Sequence, residues 1–196
     1  MQRRDLLKGS IAAVSASLLA PLGLLGRPRQ AFALGGTLPE LDAPAPPFHL
    51  QGVAPIDGKA VEASVGLGDF AGQWLVLYFY PKDFTGGCTL EARGFQKDLA
   101  AFQAANAAVV GISADDPDSH ASFCSEEGLA FPLLSDPGGE VSRRYGSWIP
   151  PFSQRHTFLI DPQGVLRQRW VAVRPTGHSS EVLAELERQQ GLMART

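Results

Sequence analysis

The chain has 196 residues, 44% of them hydrophobic, and a formal net charge of −3 at neutral pH. This length and apolar content suffice for one ordinary globular core, so we expect a single domain with an N-terminal extension. Beyond residue 33 the balance is 12 basic against 19 acidic residues, which disfavours nucleic acids and anionic membrane surfaces as partners.

Residues 1–33 have the pattern of an export signal. Arg3 and Arg4 are adjacent, residues 9–26 carry no charge, and Ala31-Phe32-Ala33 is a small-x-small cleavage pattern. The pattern resembles a twin-arginine signal, which directs folded proteins across a membrane, and it predicts the periplasm or the thylakoid lumen as destination. A retained membrane anchor is the alternative, although serine, proline and glycine dilute the apolar run.

The next segment leads into the folded domain. Residues 34–47 are rich in proline and glycine, which predicts an extended, poorly ordered lead-in and a domain that spans residues 48–196. Short strands at Phe48–Leu50 and around Ala60–Ala63 flank an Asp57-Gly58 turn. They predict an N-terminal hairpin.

A strand, a loop and a helix follow in order. Trp74–Tyr80 is continuously apolar or aromatic and ends at Pro81, which predicts a central strand buried on both faces. From Cys88 to about residue 105 the apolar residues recur at near-helical spacing. Ala107–Ser113 predicts a second strand, and the following Asp-Asp-Pro predicts the start of a helix that runs to Gly128.

The last third of the chain continues the alternation. It predicts a strand at Phe131–Leu134, a short helix at Gly139–Tyr145, strands at Thr157–Ile160 and Val165–Val173, and a final helix at about Ser179–Gln190. Strands that alternate with helices predict an α/β fold in which helices flank a mixed sheet.

The chain has two cysteines, Cys88 and Cys124, and in an exported protein the default for such a pair is a structural disulfide. The surroundings of Cys88 point to chemistry instead. Pro81, Thr85 and Cys88 form the pattern P-x-x-x-T-x-x-C directly after a buried strand, and the cysteine opens a helix. Unpaired N–H groups and the positive end of the helix dipole stabilise a thiolate there, and only the thiolate is nucleophilic.

Residues 78–91 read YFYPKDFTGGCTLE and resemble the active-site signature of peroxiredoxins, most closely the bacterioferritin-comigratory or Q-type group. The resemblance continues through residues 133–136, Tyr145-Gly146 and residues 155–161, and it covers nearly all of the chain from Phe48 onward. It implies a thioredoxin-like fold and a thiol-dependent peroxidase.

By position, the resemblance implies that Cys88 is the peroxidatic cysteine, Thr85 the hydroxyl that orients the peroxide, and Arg155 the cation beside both. Arg155 would stabilise the thiolate and the charge on the leaving oxygen, and Pro81 would shield the thiolate from water. In the alternative, Arg155 is a surface strand residue and Thr85 an ordinary turn residue. For Glu91 we expect a contribution to the helix N-terminus rather than orientation of Arg155.

Two positions depart from the family pattern. Gly86 stands where the usual T-P-G-C has proline, which loosens the loop entropically. Arg93 stands five residues after Cys88, where many Q-type members carry the resolving cysteine. The resemblance to a subset with a later resolver assigns that role to Cys124 through an intramolecular disulfide, with different oxidised and reduced folds. If Cys124 is a bystander in its helix, an external thiol resolves Cys88.

The implied cycle uses a hydroperoxide substrate and a thioredoxin-like reductant, requires no metal or organic cofactor, and is expected of a monomer. His120 and Cys124 have i, i+4 spacing, but the four histidines otherwise lack ligand spacing, so we do not expect zinc. The chain has no C-x-x-C motif and no local signature of a cysteine hydrolase. The competing interpretation is a non-catalytic exported thioredoxin-fold module with a structural Cys88–Cys124 disulfide.

Overall fold

The computed structural model describes residues 31–56 and 58–194. Most of the predicted export signal, residues 1–30, therefore lies outside the described residues, as does Asp57 of the predicted hairpin turn. Within the described ranges, no helix is both long and apolar enough to cross a membrane.

The chain alternates between strands and helices. The strands are β1 (Phe32–Ala33), β2 (Gly36–Thr37), β3 (His49–Ile56), β4 (Lys59–Gly66), β5 (Trp74–Phe79), β6 (Ala107–Ser113), β7 (Leu133–Ser135), β8 (Trp148–Ile149), β9 (Phe152–Ser153), β10 (His156–Ile160) and β11 (Leu166–Trp170). The helices are α1 (Gly86–Ala104), α2 (Pro117–Glu127), α3 (Glu140–Arg144) and α4 (His178–Met193), with a 3-10 turn at Leu67–Phe70.

Seven strands form one mixed sheet in the order β11-β10-β5-β6-β7-β3-β4. Strands β5, β6 and β7 are parallel to one another, whereas β10 pairs antiparallel with β5 and β3 pairs antiparallel with β7. Strands β3 and β4 form the predicted N-terminal hairpin along eight residue pairs. The structure confirms the predicted α/β class with a thioredoxin-like mixed sheet flanked by helices.

The sheet divides the apolar core into two clusters. All six residues of β5 are buried, as predicted, and their side chains alternate between the two faces of the sheet. Val76 and Tyr78 join a cluster that also contains Phe95 of α1 and Phe123 of α2. The other cluster contains Leu75, Leu77 and Phe79 and lies on the face that α3 covers.

The segment before the hairpin differs from the predicted poorly ordered lead-in. Leu38 and Ala45 are buried in the second core cluster. The Asp42 N–H donates to the carbonyl of Leu166 at 2.8 Å, and the Ala45 N–H donates to the carbonyl of Gly164 at 2.9 Å. Proline removes backbone donors but does not prevent apolar neighbours from being buried, so this segment packs along the strand β11 and the turn before it.

Helix α2 begins and ends at the predicted signals. The carboxylate of Asp116 caps the helix by accepting a hydrogen bond from the Ser119 N–H at 2.8 Å, and Pro117 is the first helical residue. Gly128 ends the helix with φ of 63°, a left-handed conformation that glycine adopts without a steric penalty. These local signals place Cys124 in the last two turns of α2.

Candidate active site

Cys88 lies in the first turn of α1 and is buried. The helix begins at Gly86, and its first i to i−4 hydrogen bond runs from the Thr89 N–H to the carbonyl of Thr85 at 2.9 Å. The N–H groups of the three residues before Thr89 therefore belong to the open end of the helix, where the dipole is positive. A negative charge at this end of a helix interacts favourably with the dipole.

Arg155 contacts the Cys88 sulfur from a distant part of the chain. Its Nη2 lies 3.4 Å from Cys88 Sγ, and its side chain is only 15% exposed. Arg155 directly precedes β10, and the first residue of β10, His156, pairs with Phe79 at the end of β5. Because β5 leads into the loop before Cys88, this register brings the guanidinium to the sulfur and not to the solvent.

Glu91 completes a buried ion pair with Arg155. Its Oε2 accepts a hydrogen bond from Arg155 Nη1, and the carboxylate side chain is 1% exposed. Burial raises the pKa of Glu91 to about 7, against the opposing effect of the Arg155 charge. Burial lowers the pKa of Arg155, but the charges of Glu91 and Cys88 outweigh it, so the net shift is upward.

This geometry contradicts the expectation that Glu91 stabilises the N-terminus of the helix rather than orienting Arg155. Glu91 is the sixth residue of α1, and the first turn of the helix contains no acidic residue. The effect of the helix dipole fades within the first turn. The carboxylate instead holds the guanidinium that contacts Cys88. Its position one turn beyond the cysteine on the same helix face was the signal available in the sequence.

The two glycines before Cys88 have different surroundings. A Cβ atom at Gly87 would lie 3.1 Å from Arg155 Nη2 and 3.7 Å from Cγ of Pro175. Among the described residues, a Cβ atom at Gly86 would meet no atom within 4 Å. The missing side chain at Gly87 therefore leaves room for the guanidinium, whereas Gly86 has free space around it.

The structure places Thr85 and Pro81 in the loop that precedes Cys88. Thr85 is the N-cap residue of α1, is exposed, and donates a hydrogen bond from Oγ1 to the carbonyl of Lys82 at 2.9 Å. Pro81 is half-buried where the loop leaves the sheet. Between them Phe84 adopts φ of 59°, an uncommon value for a bulky residue. Its ring packs edge-on against that of Phe123 of α2, with the ring centroids 5.1 Å apart.

Cys124 lies on a different helix from Cys88, and both are free thiols. Both belong to the same apolar cluster of the core. Cys124 is 4% exposed, and burial, with a further contribution from the charge of Asp83, raises its pKa to about 12. The structure therefore describes a reduced fold in which Cys124 is a buried thiol.

His120 takes part in a buried polar cluster that the sequence patterns did not predict. Its Nδ1 lies 2.9 Å from Oδ2 of Asp83, a residue of the loop before Cys88. In the described part of the chain, no group of three or more histidine, cysteine and acidic side chains is arranged to hold a metal ion. The signal available in the sequence was Asp83, a carboxylate in the loop after a strand that is buried on both faces, since a buried charge needs partners.

Residues 41–169 match the model of the AhpC/TSA family. The protein named Peroxiredoxin Bcp from Xanthomonas campestris pv. campestris is 42% identical over 126 residues, which are 60% of this chain and 78% of the relative. The mitochondrial Thioredoxin-dependent peroxide reductase of Drosophila melanogaster is 37% identical over 152 residues, 73% of this chain and 63% of the relative. A solved structure of Xanthomonas campestris Peroxiredoxin Q has a TM-score of 0.65 and 35% identity, and the match covers 71% of this chain and 89% of that one.

The fold, the cysteine at the start of α1 and these similarities together define a thiol-dependent peroxidase. The chain belongs to the AhpC/TSA family, as a peroxiredoxin of the bacterioferritin-comigratory or Q type.

Proposed function

We propose that this enzyme reduces hydrogen peroxide and organic hydroperoxides with Cys88 as the peroxidatic cysteine. Cys124 then resolves the oxidised sulfur as an intramolecular disulfide, and a thioredoxin-like donor reduces that disulfide. The observation that carries the proposal is the 3.4 Å contact between Arg155 Nη2 and Cys88 Sγ at the positive end of α1. A fixed cation and a helix N-terminus converge there on one sulfur atom.

In the first step the Cys88 thiolate attacks one peroxide oxygen. The O–O bond breaks, the attacked oxygen stays on sulfur with its proton as a sulfenic acid, and the other oxygen takes a proton from solvent and leaves as water or an alcohol. Arg155 stabilises the negative charge that moves from sulfur to the leaving oxygen, and Glu91 holds the guanidinium in place. Pro81 limits the access of bulk water to the thiolate.

Thr85 positions the peroxide. The hydroxyl hydrogen of Thr85 is directed at the carbonyl of Lys82, so the lone pairs of Oγ1 remain available as acceptors. Thr85 Oγ1 then accepts a hydrogen bond from the O–H of the peroxide, and the N–H groups of the first turn of α1 donate hydrogen bonds to the peroxide oxygens. Holding the attacked oxygen in line with the sulfur is a positioning contribution to the rate.

In the second step the Cys124 thiol condenses with the Cys88 sulfenic acid. An S–S bond forms and one water molecule leaves. A disulfide requires Cα atoms within about 7 Å of each other, and Cys124 is buried within α2 in the reduced fold. We therefore expect α2 to unwind locally, which also exposes Cys124 to water and lets it form the reactive thiolate.

The donor and the location are further parts of the proposal. A thioredoxin-like dithiol supplies the two electrons that open the disulfide, in keeping with the name of the Drosophila relative. Export to the periplasm or the thylakoid lumen is proposed from the sequence of residues 1–33. We expect a monomer in solution, which size-exclusion chromatography with light scattering tests directly.

The test is peroxide consumption with a thioredoxin recycling system, run for the unaltered protein, Cys88→Ser and Cys124→Ser. We expect Cys88→Ser to lose turnover, and Cys124→Ser to form a sulfenic acid that dimedone traps but to recycle poorly. Unchanged turnover in Cys88→Ser would overturn the peroxidatic assignment. A Cys88–Cys124 disulfide that resists mild reductant, without peroxide consumption, would favour the non-catalytic module.

A further inference from the structure

The loop before Cys88 is joined to the helix of Cys124 by a buried polar group of residues, here called the Asp83 cluster. Its members are Tyr80, Asp83, Asp115, Ser119 and His120. Tyr80 follows β5, Asp83 lies in the loop between Pro81 and Thr85, and the other three lie just before or within the first turns of α2. The exposed fractions of Tyr80, Asp83 and His120 are 1%, 2% and 0%.

Asp83 is bound through both carboxylate oxygens and through its backbone. Its Oδ1 accepts from the Tyr80 hydroxyl at 2.7 Å. Its Oδ2 accepts from Ser119 Oγ at 2.8 Å and lies 2.9 Å from His120 Nδ1. Its N–H donates to Oδ2 of Asp115 at 2.9 Å. Three of these four contacts cross from the loop to the segment that begins α2.

The cluster supplies the hydrogen-bond partners of the buried Asp83 carboxylate. An unpaired charge at this depth is strongly unfavourable, so the contacts to Asp83 are favourable only while loop and helix stay together. In the described part of the chain, His120 Nε2 has no hydrogen-bond partner. The polar contacts of this imidazole are therefore directed at Asp83 and, at 3.4 Å, at the Tyr80 hydroxyl.

The position of the cluster along the chain relates it to both cysteines. Asp83 lies two residues before Thr85 and five before Cys88, and His120 lies one helical turn before Cys124. The ring contact between Phe84 and Phe123 runs beside the cluster and joins the same two elements. The proposed second step requires Cys124 to leave its buried position in α2. These contacts oppose that movement.

We propose that Asp83, Ser119 and His120 are positioning residues that hold α2 against the active-site loop and so set the rate at which Cys124 reaches the Cys88 sulfenic acid. This inference rests on the proposed resolving role of Cys124. Contacts present in the closed fold and lost in the open one stabilise the closed fold, so removing them increases the population of the open fold. Resolution becomes faster, and the sulfenic acid has less time to meet a second peroxide and become sulfinic acid.

Asp83 shares its loop with Pro81 and Thr85, but the hydrogen bonds of the cluster are separate from those that hold the guanidinium against Cys88. Cys88 is contacted by Arg155, which is held by Glu91, and the hydrogen bonds described for the Asp83 cluster join other residues. The rate of sulfenic acid formation and the rate of disulfide formation should therefore respond differently to changes in the cluster. A purely structural role would not separate the two rates in this way.

Two pairs of variants test the inference. Ser119→Ala removes one donor to Asp83, and Ser122→Ala, on the same helix, removes an exposed hydroxyl that bonds only locally to the carbonyl of Asp118. His120→Leu removes the imidazole contact. His120→Asn keeps an N–H donor at the position of Nδ1 and should restore the behaviour of the unaltered protein.

Each protein is mixed with one equivalent of hydrogen peroxide, quenched with a thiol-blocking reagent at increasing times, and analysed by mass spectrometry for thiol, sulfenic acid and disulfide. We expect Ser119→Ala to form the disulfide roughly 5-fold faster, as the loss of one hydrogen bond implies, and His120→Leu faster still. The rate of sulfenic acid formation should stay within about 2-fold, and the peroxide concentration that converts half of Cys88 to sulfinic acid should rise.

Disulfide formation at the unaltered rate or slower in Ser119→Ala, with normal sulfenic acid formation, would overturn the inference. If His120→Leu does not fold, the comparison of Ser119→Ala with Ser122→Ala still decides. The absence of a Cys88–Cys124 disulfide in the unaltered protein would instead refute the resolving role of Cys124, and this inference with it.

Discussion

Arg155 and Glu91, 64 positions apart in the sequence, form a buried ion pair whose guanidinium also contacts the Cys88 sulfur. One planar side chain thus reaches a carboxylate with Nη1 and a thiol with Nη2. The fork geometry of arginine makes both contacts possible at once, which a single ammonium group does not reproduce.

Arg155→Lys should lower the second-order rate constant of Cys88 oxidation by roughly 100-fold, and Arg155→Met by more, because one preorganised donor to the developing charge is lost. Stopped-flow measurement of sulfenic acid formation checks this. The matched control is Arg167→Lys, since Arg167 pairs with Asp42 and Asp161 and not with Cys88. A rate in Arg155→Lys equal to that of the control would contradict the assigned role of the guanidinium.

Glu91 should make stability depend on pH. Its pKa in the fold is about 7, above the ordinary value of 4.5, so the folded state binds the proton more tightly than the unfolded state. The stabilisation is present below pH 4.5 and is lost as the pH rises to about 7. Relative to Glu91→Gln, the free energy of unfolding should fall by up to about 3 kcal/mol from pH 4.5 to pH 8. Urea unfolding of both proteins at the two pH values measures this change in the free energy of unfolding. The same change in both proteins would refute the assigned effect of Glu91.

Gly87→Ala should slow peroxide attack by about 10-fold, because a Cβ atom 3.1 Å from Arg155 Nη2 displaces the guanidinium from the sulfur. Gly86→Ala is the control, since the added methyl group has no atom of residues 31–56 or 58–194 within 4 Å. The two variants add the same group at adjacent positions of one helix, so their rate constants isolate the contact with Arg155. Equal rate constants would mean that Arg155 adjusts without loss.

Gly86→Pro should stabilise the protein by about 0.4–1 kcal/mol, because proline restricts the unfolded chain and is favoured at the first position of a helix. The preceding residue, Thr85, already has φ of −87° and ψ of 143°, which a following proline requires. Thermal unfolding of the reduced protein measures the gain. A lower midpoint would show that the Gly86 N–H has a role that proline removes.

Local signals in the sequence determined the central part of the fold. The apolar run Trp74–Tyr80 predicted a strand buried on both faces, and the Asp-Pro pair with Gly128 predicted both ends of α2. The same kind of signal placed Cys88 in the first turn of a helix. Periodicity, capping and turn chemistry act over a few residues, and the sequence displays them directly.

Local patterns in the sequence do not show which distant side chains meet; only the family resemblance implied that Arg155 lies beside Cys88, and the tertiary structure decided the contacts. The antiparallel register of β10 on β5 placed Arg155 against Cys88 and thereby made Glu91 its partner. The packing of α2 on the active-site loop paired Asp83 with His120. A buried charge must find an opposite charge or hydrogen-bonding partners, but the sequence does not show which of several candidates sheet register and helix packing will bring within reach.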